Sequence, residues 1–467
     1  MSLLERFLAV LPEVKGPLEK KRAFKTKLKW TLLILALFFI LGVIPLYGLG
    51  ANALANFEQL SIILGASFGS ITSLGIGPIV TASIVLQLLN GSGLLKLDTT
   101  TPEGRRKFHG IQKIMILAFI VFEAVIYVMM GGLSPSSNLP PSTFRLVQFM
   151  LILQLFAGGL LIMYMDEVIN KWGFGSGVSL FIAAGVSSQV FIRAFSPLTA
   201  GGFFAFGSGE APVGQVWVLF ISLLGSNPIG ALLAFSAILA TILIFLLSVY
   251  FQAMKVEIPL SFGRIRGHGI RWPLRFLYTS NIPVILIAAL LANIQLVARL
   301  LESAGRPWLG TFAGNAPASG FVTWIFPPQI ISNIITRSFS AVDLVHAASY
   351  TILMIGGAVL FSYFWVQTSG MDASSQARQI MASGLQIPGF RRDQRVLEQI
   401  LNRYITPLTI MGGISIGFLA ASADLLGALT SGTGLLLTVM IIYRLYEEIA
   451  QQHMMDMYPA LRKVMER

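Results

Sequence analysis

The sequence predicts an all-α integral membrane protein. It reads as ten transmembrane helices in two inverted halves of five, with a short re-entrant helix ahead of the second span. Three observations carry this. The 467 residues are 55% hydrophobic and only 12% charged, with a mean hydropathy of +0.75, and no charge-rich soluble segment interrupts them. Ten apolar runs of spanning type recur along the chain. Finally, 28 of its 33 Lys and Arg fall in the segments that this count places inside, a strong positive-inside bias that an odd number of spans would spoil.

In order, residues 3 to 10 (LLERFLAV) and the lysines from Lys15 to Lys29 suit an amphipathic helix on an anionic leaflet. No apolar core of signal-peptide length precedes residue 30. Spans are expected near 30–46, 74–89, 114–130, 146–165, 178–195, 229–251, 282–298, 345–366, 405–421 and 425–443. Gln215 to Gly225 (QVWVLFISLLG) is apolar but too short to cross, and reads as part of an external loop. This arrangement makes the chain multi-pass, with both termini cytoplasmic. Its halves divide at 1–200 and 201–467. The fifth span opens with Gly175-Ser176-Gly177-Val178 and the tenth with Gly432-Thr433-Gly434-Leu435. Five helices apart, these would run in opposite directions, as an inverted repeat requires.

Phe57 to Leu89 is the irregular stretch. Gly65, Gly69, Gly75, Gly77 and Pro78 interrupt it, and Ser61, Ser67, Ser70, Thr72 and Ser73 pepper its first half. Only about Leu74 to Leu89 is a spanning helix; Phe57 to Phe68 reads as a short helix folded back at membrane depth. Irregular backbone there persists only inside protein or beside a wet cavity, which points to a channel or a transporter.

Glu123 stands alone in an apolar helix, and an intramembrane carboxylate is a functional hypothesis by default. Thr81 and Asn293 are its expected partners, because all three lie at similar depth, roughly 14–18 Å in at ~1.5 Å per residue. A fixed structural hydrogen bond and a proton relay are the other readings. With no cysteine, disulfides and thiolate metal sites are excluded. His109, His268, His346 and His453 are scattered, so neither a metal cluster nor a cofactor is expected. No GxxxxGK[ST] sequence is present, and no paired catalytic groups are apparent at depth, so an enzyme is disfavoured.

Several long strings resemble one family: GIGPIVTASIVLQLL (75–89), MDEVINKWGFGSGVSLFIAAGVS (165–187), NIPVILIAALLANIQL (281–296), FWVQTSGMDASSQARQIMASGLQIPGFRRD (364–393) and SGTGLLLTVMIIYRLYE (431–447). Together they resemble the SecY subunit of the protein-conducting translocon, of the archaeal type, and its eukaryotic alpha counterpart. The resemblance implies a passive conduit in the cytoplasmic membrane. Unfolded polypeptides would cross it, and signal sequences and other hydrophobic segments would leave sideways into lipid. It implies a pore ring of Ile76, Val80, Val178, Ile182, Ile285 and Leu437, whose pairs 76/80 and 178/182 share helical faces. These residues also read plainly as packing aliphatics, and Val178 lies too near the inside loop for a mid-membrane ring unless its helix starts inside a funnel.

The resemblance also makes 57–70 a plug, with Phe57, Leu60, Ile63, Leu64, Gly65 and Phe68 on it, and makes Thr81, Glu123 and Asn293 the polar cluster of a lateral gate. In the inside loops it implies that Arg264, Arg266, Arg391 and Arg392 dock the ribosome, where arginine suits RNA phosphate; topology alone also calls for basic loops. A SecE/gamma subunit and a small single-span beta subunit are the implied partners. A secondary transporter coupled through Glu123 is the alternative.

Overall fold

The computed structural model describes residues 13–17, 23–52, 66–91, 94–95, 101–136, 139–199, 203–206, 210–262, 269–279, 282–303, 305–313, 316–382, 385–386 and 393–457. The helices, numbered in chain order, begin with α1 (Phe24–Val43), α2 (Gly77–Gly91), α3 (Pro102–Met129), α4 (Pro141–Trp172) and α5 (Gly177–Phe195). After the short α6 (Gln215–Leu224) come α7 (Pro228–Ala253) and α8 (Ile282–Ser303). Two short helices, α9 (Phe321–Trp324) and α10 (Ile330–Ile335), precede α11 (Ala341–Thr368), α12 (Ala373–Ala382), α13 (Gln394–Leu425) and α14 (Gly432–Met457). Eight of the described helices are long and apolar enough to cross a membrane. The two further expected spans are α2, with 15 residues, and α14, which is long but charged in its last turns.

Local chemistry explains many helix starts. Thr101 caps α3 by accepting from the Gly104 N–H at 3.1 Å, with Pro102 next in the chain. Asn227 does the same for α7, and Ser340 with Asp343 forms a capping box on α11. Several helices run past the apolar run that predicts them, as α3 does over residues 102–113 and α13 over 394–404, because polar turns outside the lipid remain good helix formers. One expected span shifts. Residues 426–431 are not the start of the tenth span, because Gly427 at φ +67 breaks the chain between α13 and α14.

The body is helical, but three antiparallel ribbons accompany it. β1 (Leu49–Asn52) pairs with β2 (Leu133–Pro135), and β5 (Thr311–Ala313) with β6 (Ala316–Ser319). Segment 255–275, expected as an inside loop, is a hairpin of β3 (Lys255–Phe262) and β4 (Gly269–Arg275), in register from Lys255 opposite Arg275 to Ser261 opposite Gly269. β7 (Leu385–Gln386) adds to β3 through Phe262 opposite Leu385, so the two segments expected inside are joined through one sheet. The apolar run at 215–225 forms α6, which has no buried residue and leans on α7.

Residues 66–76, where the re-entrant helix was expected to end, are a chain of turns. The serines account for it. Ser70 Oγ donates to the Ser67 carbonyl at 2.7 Å, Ser73 Oγ to the Ser70 carbonyl, and the Gly69 N–H donates to Ser73 Oγ at 2.9 Å. Hydroxyls thus satisfy backbone that a helix would have satisfied itself. The Leu46 N–H donates to the Gly69 carbonyl and the Ile71 N–H to the Ile44 carbonyl, which pins the segment to the chain leaving α1. Gly158 of α4 completes the fit: a Cβ there would stand 1.9 Å from the Ile71 carbonyl oxygen.

At the other end of α4, residues 13–17 lie along the helix terminus. Lys171 Nζ reaches Glu13 and the Val14 carbonyl, and the Trp172 indole donates to the Lys15 carbonyl at 3.0 Å. The Lys171 ammonium holds the Glu13 carboxyl below its ordinary range. The amphipathic helix expected at residues 3 to 10 lies outside the described residues.

Candidate pore and gate

A cavity of about 1820 Å³ opens among the ends of the helices. Its lining can be followed inward along each helix. On α2 the lining includes Gln87, Ser83 and Val80, with Ile79 beside it; on α14 it includes Glu448, Arg444 and Ile441, with Leu445 beside it. The main positions of both series step by three or four residues along one helical face. Charged and polar groups give way to aliphatics, and Val80, Val178 and Ile285 line the inner end. One turn further in are Ile76, Ile182 and Leu437, each 1% exposed. Three of the six residues expected as a ring, Val80, Val178 and Ile285, thus line one cavity, and all six lie in or against one core. Five belong to a continuous buried core, and Val178 packs against it. The helices carrying them adjoin: α5 packs on α14, α14 on α8 and α8 on α2.

Val178, the second residue of α5, lines this cavity with Ser176 and Ser179 beside it. Ile76 differs slightly from expectation. It precedes α2, and its carbonyl accepts the Val80 N–H at 3.0 Å, so it keeps helical phase with Val80 from the adjoining turn.

The polar cluster forms as its residue types demand. Asn293 of α8 donates from Nδ2 to Thr81 Oγ1 at 2.9 Å. The Thr81 hydroxyl lies 3.5 Å from Glu123 Oε1 on α3. Glu123 is buried, and its Oε2 meets no hydrogen-bond partner among the described residues. A second tie between α3 and α2 was not anticipated: Gln112 Nε2 donates to Ser83 Oγ at 2.8 Å. Gln112 lies three turns before Glu123 on the same face, a periodicity that could have revealed it. Tyr127, one turn beyond Glu123, is likewise buried, and its ring stands 6.5 Å from that of Phe68.

Phe68 also packs against Ala292 of α8, as Phe312 of β5 does, so the end of the expected plug rests beside α3 and α8. Phe57, Leu60, Ile63, Leu64 and Gly65 lie outside the described residues, as do Arg264, Arg266, Arg391 and Arg392. In sequence, the first pair falls between β3 and β4, and the second follows β7, the strand that pairs with β3. Among the described residues no cluster of three or more His, Cys, Asp or Glu could hold a metal.

A cavity lined by polar and charged groups thus reaches buried aliphatic side chains, beside helices joined by polar side chains, an arrangement that suits a membrane channel. The comparisons agree. The SecY family profile matches residues 70–446, and the plug domain of Sec61p matches residues 37–69. The protein translocase subunit SecY of Methanothermobacter thermautotrophicus is 46% identical over 98% of this chain and 97% of its own length. A solved protein-conducting channel superposes with a TM-score of 0.83 at 40% identity, covering 98% of this chain and 99% of its own. Sec61 in the canine ribosome–channel complex from the endoplasmic reticulum gives 0.80 at 40% identity, with the same coverage. The chain belongs to the SecY family.

Proposed function

We propose that this chain is the pore-forming subunit of a protein translocation channel in the cytoplasmic membrane, with both termini on the cytoplasmic side. The observation that carries the reading is the cavity ending on Val80, Val178 and Ile285, with Ile76, Ile182 and Leu437 buried one turn beyond. A narrow aliphatic collar expels water, so ions stop while a polypeptide can pass. It also lacks groups that would select one side chain over another, which suits substrates of arbitrary sequence. Segment 57–70 seals the external side as a plug. Apolar burial of about 1.5–3 kcal/mol per large side chain holds it only weakly, as a removable stopper requires.

Thr81, Glu123 and Asn293 latch the lateral gate. Hydrogen bonds between membrane helices are worth roughly 0.6–2 kcal/mol, so a signal sequence can replace them and leave sideways into lipid. The halves 1–200 and 201–467 open about this seam. Arg264, Arg266, Arg391 and Arg392 dock ribosomal RNA phosphate, supported by the sheet that sets their two segments side by side. A SecE/gamma subunit and a single-span beta subunit complete the complex. The chain performs no chemistry, and the energy comes from the translating ribosome or another partner. A transporter coupled through Glu123 would want a compact ion or substrate site of several midplane polar groups and would not need large basic loops, whereas this chain offers one carboxylate there and carries such loops.

The test is single-channel conductance of the purified complex in planar bilayers, wild type against a deletion of residues 57–67. A silent wild type and a flickering, weakly selective deletion support the plugged pore. Silence in both removes the plug assignment, and a substrate-coupled wild-type current returns the transporter.

A further inference from the structure

We infer that Asp166 and Asp424 are paired positioning residues, each fixing the N-terminus of one pore helix from the end of the helix before it. The observations are matched. Asp166, near the end of α4, accepts the Val178 N–H at 2.9 Å through Oδ1. Asp424, at the end of α13, accepts the Thr433 N–H at 3.0 Å, also through Oδ1. Val178 and Thr433 are the second residues of α5 and α14.

Both first residues are glycine for one reason. A Cβ on Gly177 would stand 2.6 Å from the Asp166 Cα, and one on Gly432 2.0 Å from the Ala423 carbonyl carbon. Each pore helix thus starts in backbone contact with its predecessor. This corrects the glycine alignment read from sequence: Gly177-Val178 matches Gly432-Thr433, two positions away from the match of Gly175 with Gly432.

A carboxylate at a helix start satisfies orphan N–H groups and complements the positive end of the helix dipole. Here it also sets where the collar begins. The capped residue Val178 is itself a collar residue, and Leu437 follows Thr433 by one turn. Asp424 is held in turn: Tyr350 of α11 donates to its Oδ2 at 2.7 Å, and the Thr433 hydroxyl donates to the same oxygen. The neighbour of Asp166, Glu167, pairs with Lys113 of α3 at 3.0 Å. The Asp424 cap is thus tied to α11, and the residue next to Asp166 to α3.

The inference rests on the collar reading above, and its experiment separates the two. Bilayer conductance is recorded for Asp166→Ala, Asp424→Ala, their Asn counterparts and the serine variant of Ile76, Val80, Val178 and Ile182. The alanine variants are expected to raise opening frequency on the order of tenfold, while the asparagine variants, which keep an acceptor oxygen, stay sealed. Silent alanine variants beside a leaking serine variant overturn the inference alone; a sealed serine variant overturns the collar. Asparagine variants that leak like alanine also overturn positioning by hydrogen bond. Where an alanine variant is not recovered folded, Asp166→Glu or Asp424→Glu displaces the acceptor by one methylene: leak supports the inference and a wild-type seal overturns it.

Discussion

The Asn293 side-chain amide donates to the Thr81 hydroxyl at 2.9 Å, joining α8 to α2. That hydroxyl has one proton and two acceptors in reach, the Gly77 carbonyl of its own helix at 2.8 Å and Glu123 at 3.5 Å. The shorter bond takes the proton, so the link to α8 is strong and the link to α3 weak. In the proposed gate, Asn293 is then the main latch.

Asn293→Leu is therefore expected to loosen the closed state by ~0.6–2 kcal/mol, read as more frequent opening in bilayers. Thr81→Val should do about the same. Because both remove one bond, the double variant should open little more than either single one. Fully additive effects would show that the two side chains do not share a bond.

Glu123→Gln keeps an acceptor oxygen facing Thr81 and removes the titratable group. Protein translocation into vesicles is expected to continue within about twofold of wild type, the scale of losing one weak, poorly aligned contact. Abolished transport with an intact seal would point to proton or ion coupling instead.

Replacing Ile76, Val80, Val178 and Ile182 by serine puts hydroxyls where water is now excluded. Ion leak should rise with no loss of folded complex, since wetting a constriction removes its barrier. An unchanged seal would return these side chains to ordinary packing.

Gly158→Ala forces a methyl to within 1.9 Å of the Ile71 carbonyl oxygen, so α4 must move. Overpacking of this kind costs about 1–3 kcal/mol, and Tm of the solubilised complex should fall. Gly356→Ala in α11 is the control: nothing lies within 4 Å of its Cβ position, and Tm should hold or rise slightly.

Tyr350→Phe removes the 2.7 Å bond to Asp424 while preserving the ring. A loss of about 0.5–1.5 kcal/mol is expected, again read as Tm. An unchanged Tm would mean that the Thr433 and backbone donors satisfy Asp424 alone.

The spans were legible in sequence because hydrophobicity over a window of residues is a local quantity. Depth was legible for the same reason: counting residues from the inside loops placed Thr81, Glu123 and Asn293 together, and they meet. The short second span, read as 16 residues, forms a helix of 15. The serines of 67–73 were noticed, but their use was not, because turn-forming hydroxyls and helix-weakening hydroxyls look alike in a string. The hairpin at 255–275 was missed since its Pro, Gly and Arg content reads as loop; it is the pairing of β3 with β4, extended by residues 385–386, that makes it a sheet.

By itself, then, the sequence determined a multi-pass helical membrane protein, which stretches cross, and which lone polar groups sit at matching depth. Each of these follows from the cost of placing polar atoms in lipid, a cost set residue by residue. Only the tertiary structure decided that Asp166 and Asp424 reach the next helix, that Gln112 finds Ser83, and that Val178 lines the cavity. Those outcomes depend on how separate helices approach one another. The sequence carries them only as glycines and carboxylates whose partners lie elsewhere in the chain.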